Sequence, residues 1–218
     1  MLKLYDYWRS SAAYRVRIGL NLKGVAYEAI PVNIAPGKDE QLADVFRTKN
    51  PQMRVPALET EHGVLTQSLA ILAWLDAAHP EPPFLPADPW EAVQARSFAL
   101  TIATDIHPLN NLAPLAYLRS HFGADEAGVA AWYVHWIKLG FEALEALEAQ
   151  RFQRRETEFA FGDKPTIADI CLAPQMANAR RFKLDLALYP RLRAIDERAR
   201  AHPAFIKAAP ESQKDAVT

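Results

Sequence analysis

Two adjacent serines begin a helical pattern early in the chain, directly after a strand-like run. The run covers residues 3–7, and the helical pattern starts at Ser10 and Ser11, reaches about Leu22 and stops at Gly24. The start of a helix exposes backbone N–H groups and the positive end of the helix dipole, and serine adds hydroxyl donors. Such a place suits a phosphate, a carboxylate or a thiolate. Either serine could instead serve only as the N-cap.

This helix start contains no cysteine, which limits its chemistry. Residues 10–13 lie where a thioredoxin-like fold carries a Cys-x-x-Cys pair, but here they read Ser-Ser-Ala-Ala. Dithiol redox chemistry is therefore excluded at this place. A hydroxyl donor at a helix N-terminus can still lower the pKa of another molecule's thiol, which is about 8.5 for free cysteine. The sequence thus permits a site that activates a bound thiol.

Two further segments carry candidates for ligand binding. Val55-Pro56 precedes the third strand-like run, where proline either marks the start of a strand or forms a cis peptide that turns Val55 toward a peptide ligand. Gln67-Ser68 ends the fourth run, and Ser68 is predicted to cap the following helix. Its hydroxyl and the nearby N–H groups could also bind a carboxylate. The two helix starts would then face one ligand.

The remaining candidates lie later in the chain. His-Pro-Leu-Asn-Asn at 107–111 interrupts a helical pattern, which is typical of a kink or a turn. Arg180-Arg181 could be a solvated face, and Cys171 lies in an apolar helix, where we expect it in the core. The histidines show no metal-ligand spacing, so no metal is predicted.

The order of elements indicates two regions in this chain of 218 residues. The first 80 residues read β-α-β, an irregular stretch and then β-β-α, with a crossover helix that favours parallel pairing of the first two strands. A proline-rich stretch at 79–89 ends this region. Beyond it, helical periodicity covers 90–105 and 127–150, and a capping box at 166–169 starts another helix. We predict domains at 1–80 and 89–218, joined by a linker at 81–88.

Composition limits the environment and the partners of the chain. The formal net charge is −1, so no global field attracts nucleic acid or a membrane surface. No apolar run approaches the roughly 20 residues that span a bilayer, and the N-terminus lacks a signal-peptide pattern. The single cysteine excludes an internal disulfide and fits a reducing compartment. We expect a cytoplasmic protein.

Taken together, these segments resemble the zeta class of cytosolic glutathione transferases, which includes maleylacetoacetate and maleylpyruvate isomerases. The resemblance spans nearly the whole chain and rests on a set of segments that match in order and spacing. They are residues 7–18, 50–51, 55–56, 67–71, 166–169 and 178–186. The resemblance implies an α/β N-terminal thioredoxin-like domain, an all-α C-terminal domain and a homodimer.

It also implies glutathione as the cofactor, with Ser10 as the first choice and Ser11 as the second for the hydroxyl that faces the glutathione sulfur. The expected glutathione-binding residues come from several segments: Ser10, Ser11, Arg15, Gln41, Val55, Gln67, Ser68, His107 and Asn111. Arg9 and Arg181 are expected to bind an acidic diketo substrate, because a guanidinium grips a carboxylate with two hydrogen bonds.

The implied reaction is cis–trans isomerisation of a double bond conjugated to carbonyls, with maleylacetoacetate as the first substrate and maleylpyruvate as the alternative. Two other functions stay open: conjugation or dehalogenation of small electrophiles, and glutathione binding without catalysis. One departure from the family is Ala12, where the zeta motif usually has cysteine. Because the nucleophile comes from glutathione, this change affects mainly side activities that need an enzyme thiol.

Overall fold

The computed structural model describes residues 1–153, 155 and 157–216. The chain forms two units: Met1–Pro83 with the C-terminal segment from Ala201 onward, and Phe84–Arg200. This division differs from the one drawn from the sequence in its C-terminal segment, which sequence periodicity assigned to the helical region. The described part of that segment packs on the first helix of the N-terminal unit, because Asn21 Nδ2 donates to the Ala204 carbonyl at 3.1 Å.

A four-stranded sheet forms the base of the first unit. Its strands are β1 Leu2–Asp6, β2 Tyr27–Pro31, β3 Ala57–Thr60 and β4 Gly63–Thr66. The spatial order is β2-β1-β3-β4, with β1 and β2 parallel and the other two pairs antiparallel. The predicted parallel pair and hairpin are confirmed. The carboxyl end of β1 therefore leads directly into the loop before Ser10.

The helices of this unit cover the sheet and position the loop. They are α1 Ser11–Leu22, α2 Asp44–Arg47, α3 Ser68–Ala78 and, after the other helices in the chain, α9 Pro203–Ala208. Every α1 residue from Ser11 to Leu20 is buried, since α1 packs against both α3 and α9. A helix buried on nearly all sides holds its N-terminus in a fixed place.

The second unit is helical, as predicted. Its helices are α4 Pro89–Leu100, α5 Leu112–Phe122, α6 Glu126–Phe152, α7 Ile167–Arg181 and α8 Pro190–Ala201. The predicted capping box starts α7, where buried Asp169 accepts from the Thr166 N–H at 2.7 Å and from its hydroxyl at 2.8 Å. Cys171 is fully buried, as expected. None of the described helices is long and apolar enough to cross a membrane.

The predicted interruption at 107–111 is confirmed and has a defined geometry. After α4 the chain forms a π-helical segment, Thr101–Ile106, and then a 3-10 turn, Pro108–Asn110. Gly140 of α6 allows this segment to approach closely, because a Cβ at this position would overlap the Ile106 side chain. The close packing fixes the start of the turn that begins at His107.

A small polar cluster braces the sheet next to the segment that leads to Val55. Glu59 of β3 accepts from the Tyr5 hydroxyl and from Lys49 Nζ, both at 2.8 Å. The hydrogen bonds from Lys49 and Tyr5 lower the pKa of Glu59 to about 2. A carboxyl group whose pKa is lower in the folded protein stabilises it most where the group is ionised in both states.

We therefore expect Glu59 to stabilise the fold above about pH 4.5 and to lose this contribution as the pH falls toward 2. In urea unfolding, Glu59→Gln should be less stable than the wild type at pH 7, and the difference should shrink steadily below pH 4.5. Glu61→Gln, which changes an exposed carboxylate on the same hairpin, serves as the control. A Glu59→Gln difference that stays constant from pH 7 to 3 would contradict this account.

Candidate functional site

The start of α1 is capped by Ser10. Its backbone is extended, with φ −68° and ψ 116°, and its Oγ accepts from the Ala13 N–H at 3.3 Å. The capping role is thus confirmed for Ser10, but accepting this bond leaves the hydroxyl proton available for donation to a ligand. Ser11 is the first helical residue and is buried. Both serines stay candidates for the hydroxyl that faces a thiolate.

The start of α3 differs from the prediction by one residue. Gln67, not Ser68, occupies the N-cap position, and no side-chain capping bond forms there. The physical reason is a sharp turn, because Gln67 has a left-handed φ of 66° and helical geometry begins only at the next residue. Ser68 is buried, and its Oγ accepts from Arg15 Nη1 at 3.3 Å.

Arg15 brings the two helix starts together. Its side chain is 1% exposed and links the second turn of α1 to the first residue of α3. Arginine stays protonated at any physiological pH, so its charge adds to the positive ends of two helix dipoles. The arrangement is electropositive and suits an anionic ligand.

Val55 lies close to the loop before α1. It is buried, its bond to Pro56 is cis, and it belongs to an apolar cluster with Tyr7 and Phe46. Trp8 packs against the same cluster. The Val55–Pro56 peptide bond is therefore cis, one of the two predicted alternatives, and Val55 lies beside the segment that leads to Ser10.

The two glutamines of the predicted set have different surroundings. Gln67 is exposed, and its Nε2 donates to Gln52 Oε1 at 2.9 Å. Gln41 is buried in a 3-10 turn, Glu40–Leu42, and its Nε2 donates weakly to Asp39 Oδ1 at 3.5 Å. Among the described residues, no hydrogen-bond donor reaches Gln41 Oε1. Buried polar atoms nearly always have a partner, so this oxygen is suited to a ligand donor.

Arg17 was part of the recognised segment, but sequence reasoning gave it no role. It is fully buried, and its Nη1 donates to both carboxylate oxygens of Asp6, at 2.7 and 2.8 Å. Its Nη2 donates to the Trp8 carbonyl at 2.9 Å. Burial raises the pKa of Asp6, while the Arg17 charge opposes this increase. The available sequence signal was its position in the middle of the apolar α1 pattern, where an arginine needs a buried partner.

The second unit holds the other predicted residues around one tyrosine. Asn110 Nδ2 donates to the Tyr133 carbonyl at 3.1 Å, and Arg181 Nη2 donates to the Tyr133 hydroxyl at 3.2 Å. The turn with His107 and Asn111 is thereby joined to the same residue as Arg181. Asn111 caps α5, since its Oδ1 accepts from the Leu112 N–H at 2.7 Å. The buried Asn110 was missed as the residue that holds the turn.

The adjacent residues Arg180 and Arg181 lie in two different environments. Arg180 forms an ion pair with buried Asp196, so it is not simply part of a solvated face. Arg181 is exposed and lies 4.9 Å from the centroid of the Phe182 ring. In the first unit, exposed Arg9 lies over the Trp8 ring at 5.4 Å. Each of the two exposed guanidinium groups is therefore braced by an aromatic ring and open to an anion.

Nothing in the described part of the chain groups three potential metal ligands. The features of the first unit are instead two helix starts, a buried arginine between them and a neighbouring cis peptide. In a thioredoxin-like fold without the redox cysteines, this combination is electropositive and suits an anionic ligand.

Comparisons with known proteins agree with this description. Residues 4–83 match the glutathione S-transferase N-terminal domain, and residues 126–201 match the glutathione S-transferase C-terminal domain. The chain belongs to the glutathione S-transferase family, within its zeta class.

Similar proteins match over nearly their whole length. A structure described as holo maleyl pyruvate isomerase, a bacterial zeta-class enzyme, is 48% identical with a TM-score of 0.95, covering 99% of this chain and 100% of that one. Maleylacetoacetate isomerase from Anaeromyxobacter dehalogenans with bound GSH is 42% identical with a TM-score of 0.87, covering 100% and 98%. A probable maleylacetoacetate isomerase of Vibrio cholerae is 44% identical, covering 99% and 98%.

Replacing Arg17 by Met should destabilise the fold strongly, because it leaves the buried Asp6 carboxylate without its cation. We expect the free energy of unfolding to fall by about 3–5 kcal/mol in urea at pH 7. Adding Asp6→Asn should recover part of the loss by removing the unpaired charge. Arg9→Met, at an exposed arginine, should change stability by less than about 0.5 kcal/mol. An equally small effect for Arg17→Met would refute the role of the pair.

Proposed function

We propose that this chain is a glutathione-dependent cis–trans isomerase that converts maleylacetoacetate to fumarylacetoacetate. The observation that carries the proposal is the serine-capped, cysteine-free helix start joined to α3 by the Arg15–Ser68 hydrogen bond. A site of this kind holds a thiolate but does not supply one. The similarity to maleylacetoacetate isomerases over the whole length supports cis–trans isomerisation as the reaction in which this thiolate takes part.

The chemistry follows from the bond order of the substrate. Rotation about the cis double bond is slow, and addition of a thiolate converts it to a single bond while charge moves onto an enolate. Rotation then becomes easy, and elimination of the thiolate gives the trans product. The enzyme has to hold the thiolate, position the bond and stabilise the enolate and the carboxylates. Glutathione is regenerated in each cycle.

In this proposal the first unit binds glutathione. Ser10, with Ser11 as the alternative, donates a hydroxyl hydrogen bond to the sulfur, which lowers the pKa of the thiol. Ser68 and the N–H groups at the start of α3 bind a carboxylate, and Arg15 supplies positive charge from its buried position. Gln41, Val55 and Gln67 bind the peptide part of glutathione. The family resemblance adds His107 and Asn111 as proposed glutathione-binding residues.

Ala12 limits what the enzyme contributes by itself. It is buried in the first turn of α1 and offers no thiol where the zeta motif usually has one. The isomerisation does not need that thiol, because the attacking sulfur belongs to glutathione. The absence of this thiol should therefore reduce only side activities that depend on an enzyme cysteine.

A second candidate substrate is maleylpyruvate. The observation in its favour is the 48% identity and the TM-score of 0.95 to a maleyl pyruvate isomerase. Both substrates share the cis double bond between a carboxylate and a ketone, so one site geometry serves either. They differ in the part beyond the ketone, and the ratio of kcat/KM for the two identifies the preferred substrate.

We further propose that the protein is a cytoplasmic homodimer. Exposed apolar side chains lie on α4 and α6, among them Trp90, Val93 and Leu147, and Trp90 and Leu147 line one groove. Such a face favours association with a second copy, in line with the homodimer that the family resemblance implies. Sedimentation should give the mass of two chains, and Trp90→Glu should shift it toward one; a monomeric wild type would contradict the proposal.

Calorimetry should show that glutathione affinity depends on the start of α3. Ser68→Ala and Gln67→Ala should each weaken binding by about 1.5–3 kcal/mol, as expected for the loss of a charge-assisted hydrogen bond. Ser97→Ala, at an exposed serine of α4, is the matched control and should leave affinity unchanged. Unchanged affinity in both α3 variants would place the ligand elsewhere.

Arg9 and Arg181 should serve the acidic substrate rather than glutathione. Replacing either by Met should lower kcat/KM for the diketo acid by about 10-fold or more, since a guanidinium–carboxylate contact is lost. Glutathione affinity should stay nearly intact. Arg193→Met removes an exposed charge of α8 that pairs with Glu197 and is the control. Equal losses for both ligands would rule out this division of roles.

One assay tests the proposed reaction directly. Purified protein is mixed with glutathione and maleylacetoacetate, maleylpyruvate or chlorodinitrobenzene, and both product and total glutathione are measured. We expect trans product without net glutathione consumption, and no turnover without glutathione. Ser10→Ala should slow turnover by about 10–100-fold, most strongly below pH 8, because the bound thiol then has a higher pKa. Accumulation of a stable conjugate would indicate a transferase; binding without turnover would indicate a non-catalytic protein.

A further inference from the structure

Both backbone polar groups of Trp8, in the loop before the Ser10 helix start, are bound by side chains from elsewhere in the first unit. The N–H of Trp8 donates to Asp215 Oδ2 at 3.1 Å, and the carbonyl of Trp8 accepts from Arg17 Nη2 at 2.9 Å. Asp215 is more than 200 positions away in sequence. Neither bond belongs to regular secondary structure, so the position of this loop depends on the two side chains.

The C-terminal segment is itself folded against the first unit. Gln213 Nε2 donates to the carbonyls of Lys207 and Ala209, at 3.0 and 2.8 Å, which turns the chain back onto α9. Arg17 Nε donates to the Ala208 carbonyl at 2.9 Å. The segment therefore contacts the loop directly through the Asp215 carboxylate. It also contacts the loop indirectly, because Arg17 binds both the Ala208 carbonyl and the Trp8 carbonyl.

The position of Ser10 depends on the position of this loop, because a backbone hydrogen bond joins the two. The N–H of Ser10 donates to the Tyr7 carbonyl at 2.9 Å, which closes a tight turn around Trp8 and Arg9. Arg17 Nη1 also lies 3.4 Å from the Tyr7 carbonyl. Any displacement of Trp8 therefore moves the N-cap hydroxyl and the Arg9 side chain together. Reactions lose rate steeply when a positioned group moves by about 1 Å.

We propose that Asp215 is a positioning residue of the thiol site: its carboxylate fixes the Trp8 amide and thereby the Tyr7–Ser10 turn. The C-terminal segment then acts as a brace for the site and not only as a cover for α1. This inference rests on the proposed function only for its kinetic consequences. The structural part concerns hydrogen bonds within the first unit.

The positioning role assigned to Asp215 rests on its hydrogen bond and not on its charge. Burial raises the pKa of Asp6 most, and the nearby negative charge of Asp215 raises it further, so the two carboxylates repel each other. An amide oxygen at the same place still accepts the Trp8 N–H, and it removes the like charge beside Asp6. Asp215→Asn should therefore retain the position of the turn, whereas Asp215→Ala should release it.

The first measurement follows hydrogen exchange at the Trp8 amide in wild type, Asp215→Ala, Asp215→Asn and Glu211→Ala. Glu211 is an exposed carboxylate in the same segment, so the last variant matches the loss of charge. We expect exchange at Trp8 to rise by about 10-fold or more in Asp215→Ala, and to change by less than about 3-fold in the other two. Unchanged exchange in Asp215→Ala would overturn the proposal.

The second measurement links the turn to the thiol. Glutathione affinity by calorimetry and the pH dependence of kcat/KM are compared in the same four proteins. Asp215→Ala should weaken glutathione binding or raise the kinetic pKa of the bound thiol, with recovery in Asp215→Asn. Faster exchange with both quantities unchanged would show a merely structural contact and refute the positioning role. If the wild type binds glutathione but isomerises neither substrate, the proposed function fails while the affinity comparison still tests Asp215.

Discussion

The buried ion pair between Arg17 and Asp6 is the constraint around which the first unit is arranged. Asp6 ends β1 and Arg17 lies in the middle of α1, so the pair fixes the helix on the sheet. Both side chains are almost completely removed from water, where an unpaired charge is costly. The guanidinium meets this cost with donors to two oxygens of Asp6 and to backbone carbonyls of the loop and of α9. One side chain thus holds strand, loop, helix and C-terminal segment in a single geometry.

That geometry explains how a helix start without cysteine can still serve thiol chemistry. The strand, the tight turn and the buried helix hold Ser10 in place, and Arg15 ties the start of α3 to the same region. Fixed donors and dipoles stabilise charge well because they need no reorganisation when the charge appears. The protein supplies this field and the ligand supplies the sulfur. The division of labour is consistent with the loss of the thiol at Ala12.

Much of the fold could be predicted because it depends on local patterns. The parallel β1–β2 pair follows from the crossover helix, the proline-rich stretch ends the first region, and the Thr166–Asp169 capping box starts α7. The position of the α3 N-cap could not be predicted, since the left-handed backbone at Gln67 has no glycine to reveal it. The role of Asn110 in holding the turn could not be predicted either, because the sequence does not show which of Asn110 and Asn111 is buried. Local patterns already made Ser10, Ser11, Val55 and Ser68 ligand-binding candidates, whereas the glutathione roles of Arg15, Gln41, His107 and Asn111 came from family resemblance.

By itself, the sequence determined the elements, the absence of redox cysteines and the membership of a family whose motifs are contiguous. Such features can be recognised in the sequence because each depends on residues a few positions apart. Only the tertiary structure decided that Arg17 is buried against Asp6, that Arg15 meets Ser68, and that Asp215 reaches the Trp8 amide. These contacts join residues that are up to 207 positions apart. Their partners are chosen by burial and by hydrogen-bond geometry, which exist only once the helices have packed on the sheet.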